Sequence, residues 1–314
     1  MKFLAVMAWF AVAAVALPTA AHDALLPLGD GRISDKPQAG YVFSCVTRFG
    51  GGGAQVDGPW IKGGTWDPKG KPVVRGSVIW PKAEIVISIE AGRRIVRANN
   101  LPNHPTGIYP IGRDDPAYRY DRNPNAIRAQ TTLLNVPANP TFAPQPSCVP
   151  MGMIGIALSG AAIFNALDAQ GRDAPAHEIQ DDCNGHPERS GQYHYHDHSP
   201  CLGTRPSAAP GGFSLDGFGI LGPIEEDGRE VTNADLDSCH GHSHDIAWDG
   251  ARRAIYHYHF THEYPYTVGC FRGAVDAALL RAGPPQGGPP PQGGPPPRPG
   301  GLGIDDPRAR PPPR

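Results

Sequence analysis

The sequence predicts a mainly β fold: a duplicated β-rich domain of two pseudo-symmetric repeats, loop-rich and disulfide-stapled, with an N-terminal β-rich segment packed on it. Three observations lead there. Tyr193-His194-Tyr195-His196 recurs as Tyr256-His257-Tyr258-His259, and aromatic residues in strict alternation read as strands. Glycine and proline supply 40 and 37 of the 314 residues, which favours short strands and turns over helices. Six cysteines, an even number, read as a disulfide framework if the chain is exported.

Export is what the first residues predict. Lys2, an apolar run from Phe3 to Leu17, and the small residues Thr19, Ala20 and Ala21 form the pattern of a secretory signal over residues 1–21. The run is short for a membrane span, and no later segment is apolar enough for one. The expectation is a secreted or periplasmic protein with no membrane span after cleavage. Cleavage after Ala21 would leave His22 at the terminus, where its amine and ring could chelate copper; a frayed end is the simpler reading. The net charge is −2 at a sequence pI near 6.7. With no basic face, a nucleic-acid partner is not expected.

Residues 22–150 are expected to be β-rich and irregular. Val73 to Ile79 and Ile85 to Ile89 read as strands, and Ala91-Gly92-Arg93 as the turn of a hairpin into Ile95-Val96. Gly50 to Gly53 reads as a flexible loop. Residues 99–150, rich in Pro and Asn, read as irregular coil. His104 lies there, beside Pro105, as a turn cap or an outlying site residue.

Residues 151–282 hold the repeats, at about 155–203 and 212–272. Gly155 to Gly160 lines up with Gly212 to Gly217, Ile163 with Ile220, and Gly171-Arg172 with Gly228-Arg229. One gap brings Asp181 onto Asp237. Each unit then reads strand, turn, strand, an Asp-x-Cys-x-Gly-His loop and the Tyr-His-Tyr-His strand. Ala274 to Ala282 suggests a short helix. Residues 283–314 contain 21 glycines or prolines among 32; such a tail cannot bury a core and is expected to be disordered. It would contact a proline-reading partner or a wall polymer, or act only as a spacer.

The repeat suggests the cysteine pairs Cys183–Cys201 and Cys239–Cys270, leaving Cys45–Cys148. A rival reading makes Cys183 and Cys239 metal ligands.

Eleven of the thirteen histidines fall between His177 and His262. Side chains two apart share a strand face, so His194 and His196 stand together, as do His257 and His259. Neutral imidazole is the commonest protein ligand for metals, and such sites suit zinc or copper. With the histidine of each Gly-His element, two ligand sets are expected: His186, His194 and His196, then His242, His257 and His259. Three nitrogens leave a fourth position open, as in catalytic zinc sites. Asp181 and Asp237 would orient rings, and His198, Asp197, His240, His244, His262 and Glu263 are further candidates nearby. Spacing leaves open whether there are two sites or one shared cleft. The tyrosines are expected to pack, with hydroxyls at the rim. Asp216 and Glu263 are the candidate catalytic bases if a bound metal activates water.

These motifs resemble the YHYH-domain proteins, a secreted and largely uncharacterised family. The resemblance rests on the paired Tyr-His-Tyr-His and Cys-x-Gly-His elements, on Leu215 to Ile220, and on Asn103 to Gly107, spanning roughly residues 95–272. The chain departs from the family at Gly219, where proline is usual, and at Leu221, where tyrosine is usual. The functional expectation is an exported zinc- or copper-binding protein, as a possible metal-dependent hydrolase. The alternative is a non-catalytic envelope or adhesion module with structural histidines.

Overall fold

A computed structural model describes residues 25–203, 209–277 and 280. The expected signal peptide, His22 and the Pro/Gly-rich tail lie outside the described residues. The chain is mainly β. Two-residue strands come first: β1 (Leu26–Pro27), β2 (Ile33–Ser34), β3 (Val42–Phe43), β4 (Ile61–Lys62) and β5 (Thr65–Trp66). The hairpin follows as β6 (Ile85–Glu90) and β7 (Arg93–Ala98), turning through Ala91 and Gly92, both at positive φ. Val73 to Ile79 is not a strand. It runs as an irregular strap with single bridges from Val74 to Asp181 and from Val78 to Thr106.

The coil expected after residue 99 contains two strands, β8 (Thr132–Pro137) and β9 (Phe142–Ser147). β8 completes an antiparallel sheet in the order β6-β7-β8. Its Thr132, Leu134 and Val136 are buried while Leu133 and Asn135 face out. That alternation is a strand signal, overshadowed in the sequence by the flanking prolines.

The central sheet has eight strands: β10 (Met153–Ala157), β11 (Ala162–Phe164), β12 (Gly185–Pro187), β13 (Tyr193–Tyr195), β14 (Gly212–Ser214), β15 (Gly219–Leu221), β16 (Gly241–Trp248) and β17 (Ala251–His259). Their order is β12-β13-β11-β10-β14-β15-β17-β16. Each half is wired alike: an antiparallel pair (β10-β11, β14-β15), a parallel contact (β11-β13, β15-β17) and an antiparallel pair (β12-β13, β16-β17). β10 and β14 join the halves antiparallel. β18 (Phe271–Gly273) pairs with β9.

The Gly-His elements are therefore strands rather than loops. His186 stands directly opposite His194, and His242 directly opposite His257. A short helix, α1 (Ala174–His177), is capped by Asp173, whose carboxylate accepts from the Ala176 N–H.

One buried cluster runs from Val42 to Phe271, so the N-terminal strands share their core with the central sheet. Arg94 of β7 reaches Asp249 at 2.8 Å, its guanidinium lying over Phe213 and Trp248. Disulfides join Cys45–Cys148, Cys183–Cys201 and Cys239–Cys270, the pairs suggested by the repeat. Those cysteines are thus not thiolate ligands. No helix of the described residues is long and apolar enough to cross a membrane.

Candidate metal centres

The alternation of the Tyr-His-Tyr-His strands sorts their side chains onto two faces, and each face has its own chemistry. On the tyrosine face every hydroxyl is buried and bonded. Tyr193 donates to Asp181 at 2.9 Å, Tyr256 to Asp237 at 3.0 Å and Tyr258 to Asp216 at 2.6 Å. Tyr195 meets Ser159 at 2.9 Å and donates to Nε2 of His104, whose Nδ1 is held by the Pro105 carbonyl. The expected rim position of the hydroxyls is corrected: an unpaired buried hydroxyl is costly, and each of these has a partner.

That arrangement also reassigns the aspartates. Asp181 accepts from the N–H groups of Gly107, Cys183 and Gly185, and Asp237 from those of Cys239 and Gly241. They fasten turns and tyrosines; no imidazole is among these partners. Asp216 is consumed by Ser214, Tyr258, Phe218 N–H and Gly273 N–H, on the tyrosine face. Glu263 accepts from the Asn233 N–H at 2.7 Å. Neither catalytic candidate joins a histidine cluster. His240 is held by Thr261, while Asn184 donates to the Asp197 carboxylate and to the backbone carbonyl of His198.

On the other face the histidines gather. His186, His194 and His196 form a first centre, all buried, with donor atoms within 4.8 Å of one another. Nδ1 of His194 donates to the Gln192 carbonyl at 3.0 Å, and Nδ1 of His196 to that of Asn165. Their Nε2 atoms then face each other at 3.1 Å. Glu178 enters from the end of α1, with Oε2 3.4 Å from Nε2 of both His186 and His196. Glu178 Oε2 and both nitrogens of His186 are buried with no hydrogen-bond partner. Phe164 stacks on His194 at 3.8 Å between ring centroids.

His242, His244, His257 and His259 form a second centre, again within 4.8 Å. Nδ1 of His257, His259 and His244 donates to the carbonyls of Ile255, Gly222 and Asp245. Nε2 of His257 faces that of His244 at 3.2 Å, and Nε2 of His259 faces that of His242 at 3.0 Å. Glu225 closes the set, 3.2 Å from His242 and from His244.

His244 joins because this hairpin is longer than its counterpart. β16 continues past His242 for six more residues, and the residue two further along lies on the same face. The carboxylates arrive by different routes. In the sequence alignment of the two motif-bearing segments Glu225 falls on Asp168, which is tied to Arg172 at 2.7 Å, so Glu178 stands there instead. Asp173 ahead of Pro175 is a helix-start signal that could have drawn attention to Glu178. The Glu225 role has no comparable mark.

Electrostatics keep most rings neutral. Burial, and then the neighbouring imidazoles, hold His186 and His194 well below the usual histidine range. Burial likewise pushes His257 down to about 2 and His259 to about 3. His196 is the exception: burial opposes its charge, but the Glu178 carboxylate outweighs it and raises the pKa.

Five inter-strand steps separate β13 from β17 in the sheet order, roughly 24 Å at about 4.8 Å each. The centres are two, not one shared cleft. What the fold and its clusters define is a β-sheet protein with two histidine–carboxylate centres on one sheet. Residues 133–231 match the model of the YHYH protein family, so this part of the chain is a YHYH domain. The match is narrower than the resemblance in the sequence. It contains the first centre and Glu225 and stops before the four histidines of the second. Neither the comparison with curated proteins nor that with solved structures gives a match.

Proposed function

We propose that this is an exported metal-binding protein whose two centres each hold one zinc or copper ion. The observation that carries this reading is the facing of Nε2 atoms whose rings already spend Nδ1–H on a backbone carbonyl. Where both rings of such a pair are neutral, neither has a second proton to donate and two lone pairs meet, at 3.1 Å for His194–His196 and 3.2 Å for His244–His257. A cation between them turns that repulsion into two bonds. A metal–nitrogen bond of about 2.0–2.1 Å in a tetrahedron implies ligand–ligand edges of about 3.3–3.4 Å. Three separations in the first centre, His194 to His196 and Glu178 to His186 and to His196, are 3.1 to 3.4 Å.

Structural histidines account for the Nδ1 contacts but leave the Nε2 atoms opposed and Glu178 Oε2 buried without a hydrogen-bond partner. The three disulfides support an oxidising compartment, and the like-wired halves support a duplicated domain. Bound metal would supply Lewis acidity and lower the pKa of a coordinated water, and Glu178 then replaces Asp216 and Glu263 as the acid nearest that chemistry.

The test is elemental analysis of untagged protein purified from its own compartment. The expected result is two equivalents of metal, falling to one in His194→Ala/His196→Ala and in His257→Ala/His259→Ala. Untagged protein that carries no metal and gains none on titration overturns the reading.

A further inference from the structure

We infer that the two centres divide their work: the first keeps a coordination position open for a small, uncharged nitrogen- or oxygen-donor ligand, and the second is closed by its own donors. The inference rests on the metal-binding reading above and goes beyond it in naming which centre reacts and with what.

The donor sets differ in number. The first centre offers three imidazoles and one carboxylate, one donor short of the five-coordinate state to which such ions can expand. The second offers four imidazoles and Glu225, whose two oxygens approach different histidines. Five ligand groups around one ion leave little room for a sixth.

Their surroundings differ too. A cavity of about 440 Å³ is lined at its inner end by His186, His194, His196 and Glu178. Gly51, Gly52, Gln55, Ala169 and Arg189, all exposed, also line it, so it reaches solvent. Space of that size suits a small ligand. Gly53 packs on the Glu178 carboxylate so closely that a Cβ there would stand 3.0 Å from Oε1, at a φ of +73° that itself favours glycine. The glycine loop is therefore the wall that confines Glu178 beside the metal ligands.

The cavity also selects by charge. Four carboxylates line it, from Asp121, Asp168, Glu178 and Glu188; Asp168 is paired with Arg172, and Arg189 adds one guanidinium to the lining, which leaves the carboxylates in excess. Anions are disfavoured in such a field, while Phe164 and Leu167 offer apolar wall to an uncharged ring.

The experiment uses copper-loaded, untagged full-length protein at pH 8, titrated with imidazole and separately with azide. Copper spectra are recorded by visible absorption and electron paramagnetic resonance. In His242→Ala/His244→Ala, which leaves only the first centre loaded, imidazole should shift the copper spectrum, at concentrations at least about tenfold below those needed for azide. In His186→Ala, which leaves only the second centre loaded, neither probe should act. Ala169→Trp, at the exposed mouth, should abolish the imidazole response while copper content stays at two equivalents. Copper bound at both centres but no imidazole response at the first, an equal response at the second, or azide binding as tightly as imidazole overturns the inference and leaves metal binding standing. Should a double variant fail to fold, wild type and Ala169→Trp alone decide: identical imidazole titrations refute the cavity's role.

Discussion

Removing metal should lower the melting temperature, and by an amount that can be worked out. An ion that binds only the folded chain stabilises it by about 4.1 kcal/mol per site at a free concentration 1,000 times its dissociation constant. For a folded region of this size each kcal/mol moves the midpoint by about 2–4 °C. Chelation of one centre should then cost roughly 8–16 °C. The effect should be large because the ligands sit on neighbouring core strands: β13 and β17 carry Tyr193, Tyr195 and Tyr258, all fully buried. Loosening the histidine face therefore loosens the tyrosine face with it. The assay is differential scanning calorimetry of untagged protein, metal-loaded and chelator-dialysed, with all disulfides intact. Superimposable curves would refute the reasoning, because the opposed Nε2 atoms would then need no cation.

Acidification should empty the first centre before the second. Glu178 raises the pKa of His196, so protons compete for that nitrogen near and above pH 6.5, whereas burial keeps His257 and His259 unprotonated far lower; metal release followed by a chromogenic chelator should show two steps, with His194→Ala/His196→Ala removing the one at higher pH. Glu225→Gln removes one of the second centre's donors and should weaken it by at least about 10-fold, while the first keeps its metal in a competition titration. Tyr258→Phe should destabilise the fold by about 1–3 kcal/mol in denaturant melts by leaving Asp216 short of a donor, with metal stoichiometry unchanged. Reducing Cys183–Cys201, which closes a span of 18 residues, should cost about 3 kcal/mol, read as a lower midpoint in reductant.

Much of the site was legible because strand alternation is local. Tyr-His-Tyr-His could only place histidines on one face and tyrosines on the other, whatever lay around it. The carboxylates were not legible, since Glu178 and Glu225 stand at different distances from their Tyr-His-Tyr-His motifs and each reaches its histidines only once the sheet has formed. Asp216 and Glu263 looked like candidate bases by proximity in sequence, yet Asp216 belongs to the opposite face and Glu263 to a backbone N–H. Val73 to Ile79 had strand composition, but its bridges go to single residues of two other segments, so no ladder forms.

The sequence by itself determined what short stretches can encode: alternation, the recurrence of the motif, and a cysteine before and after each copy of it. Only the tertiary structure decided that the Gly-His element is a strand opposite the motif, that a longer hairpin recruits His244, and that one centre opens to a cavity. Those outcomes depend on register and on contacts between residues far apart in the chain, and pairing energies between strands, not local preference, select them.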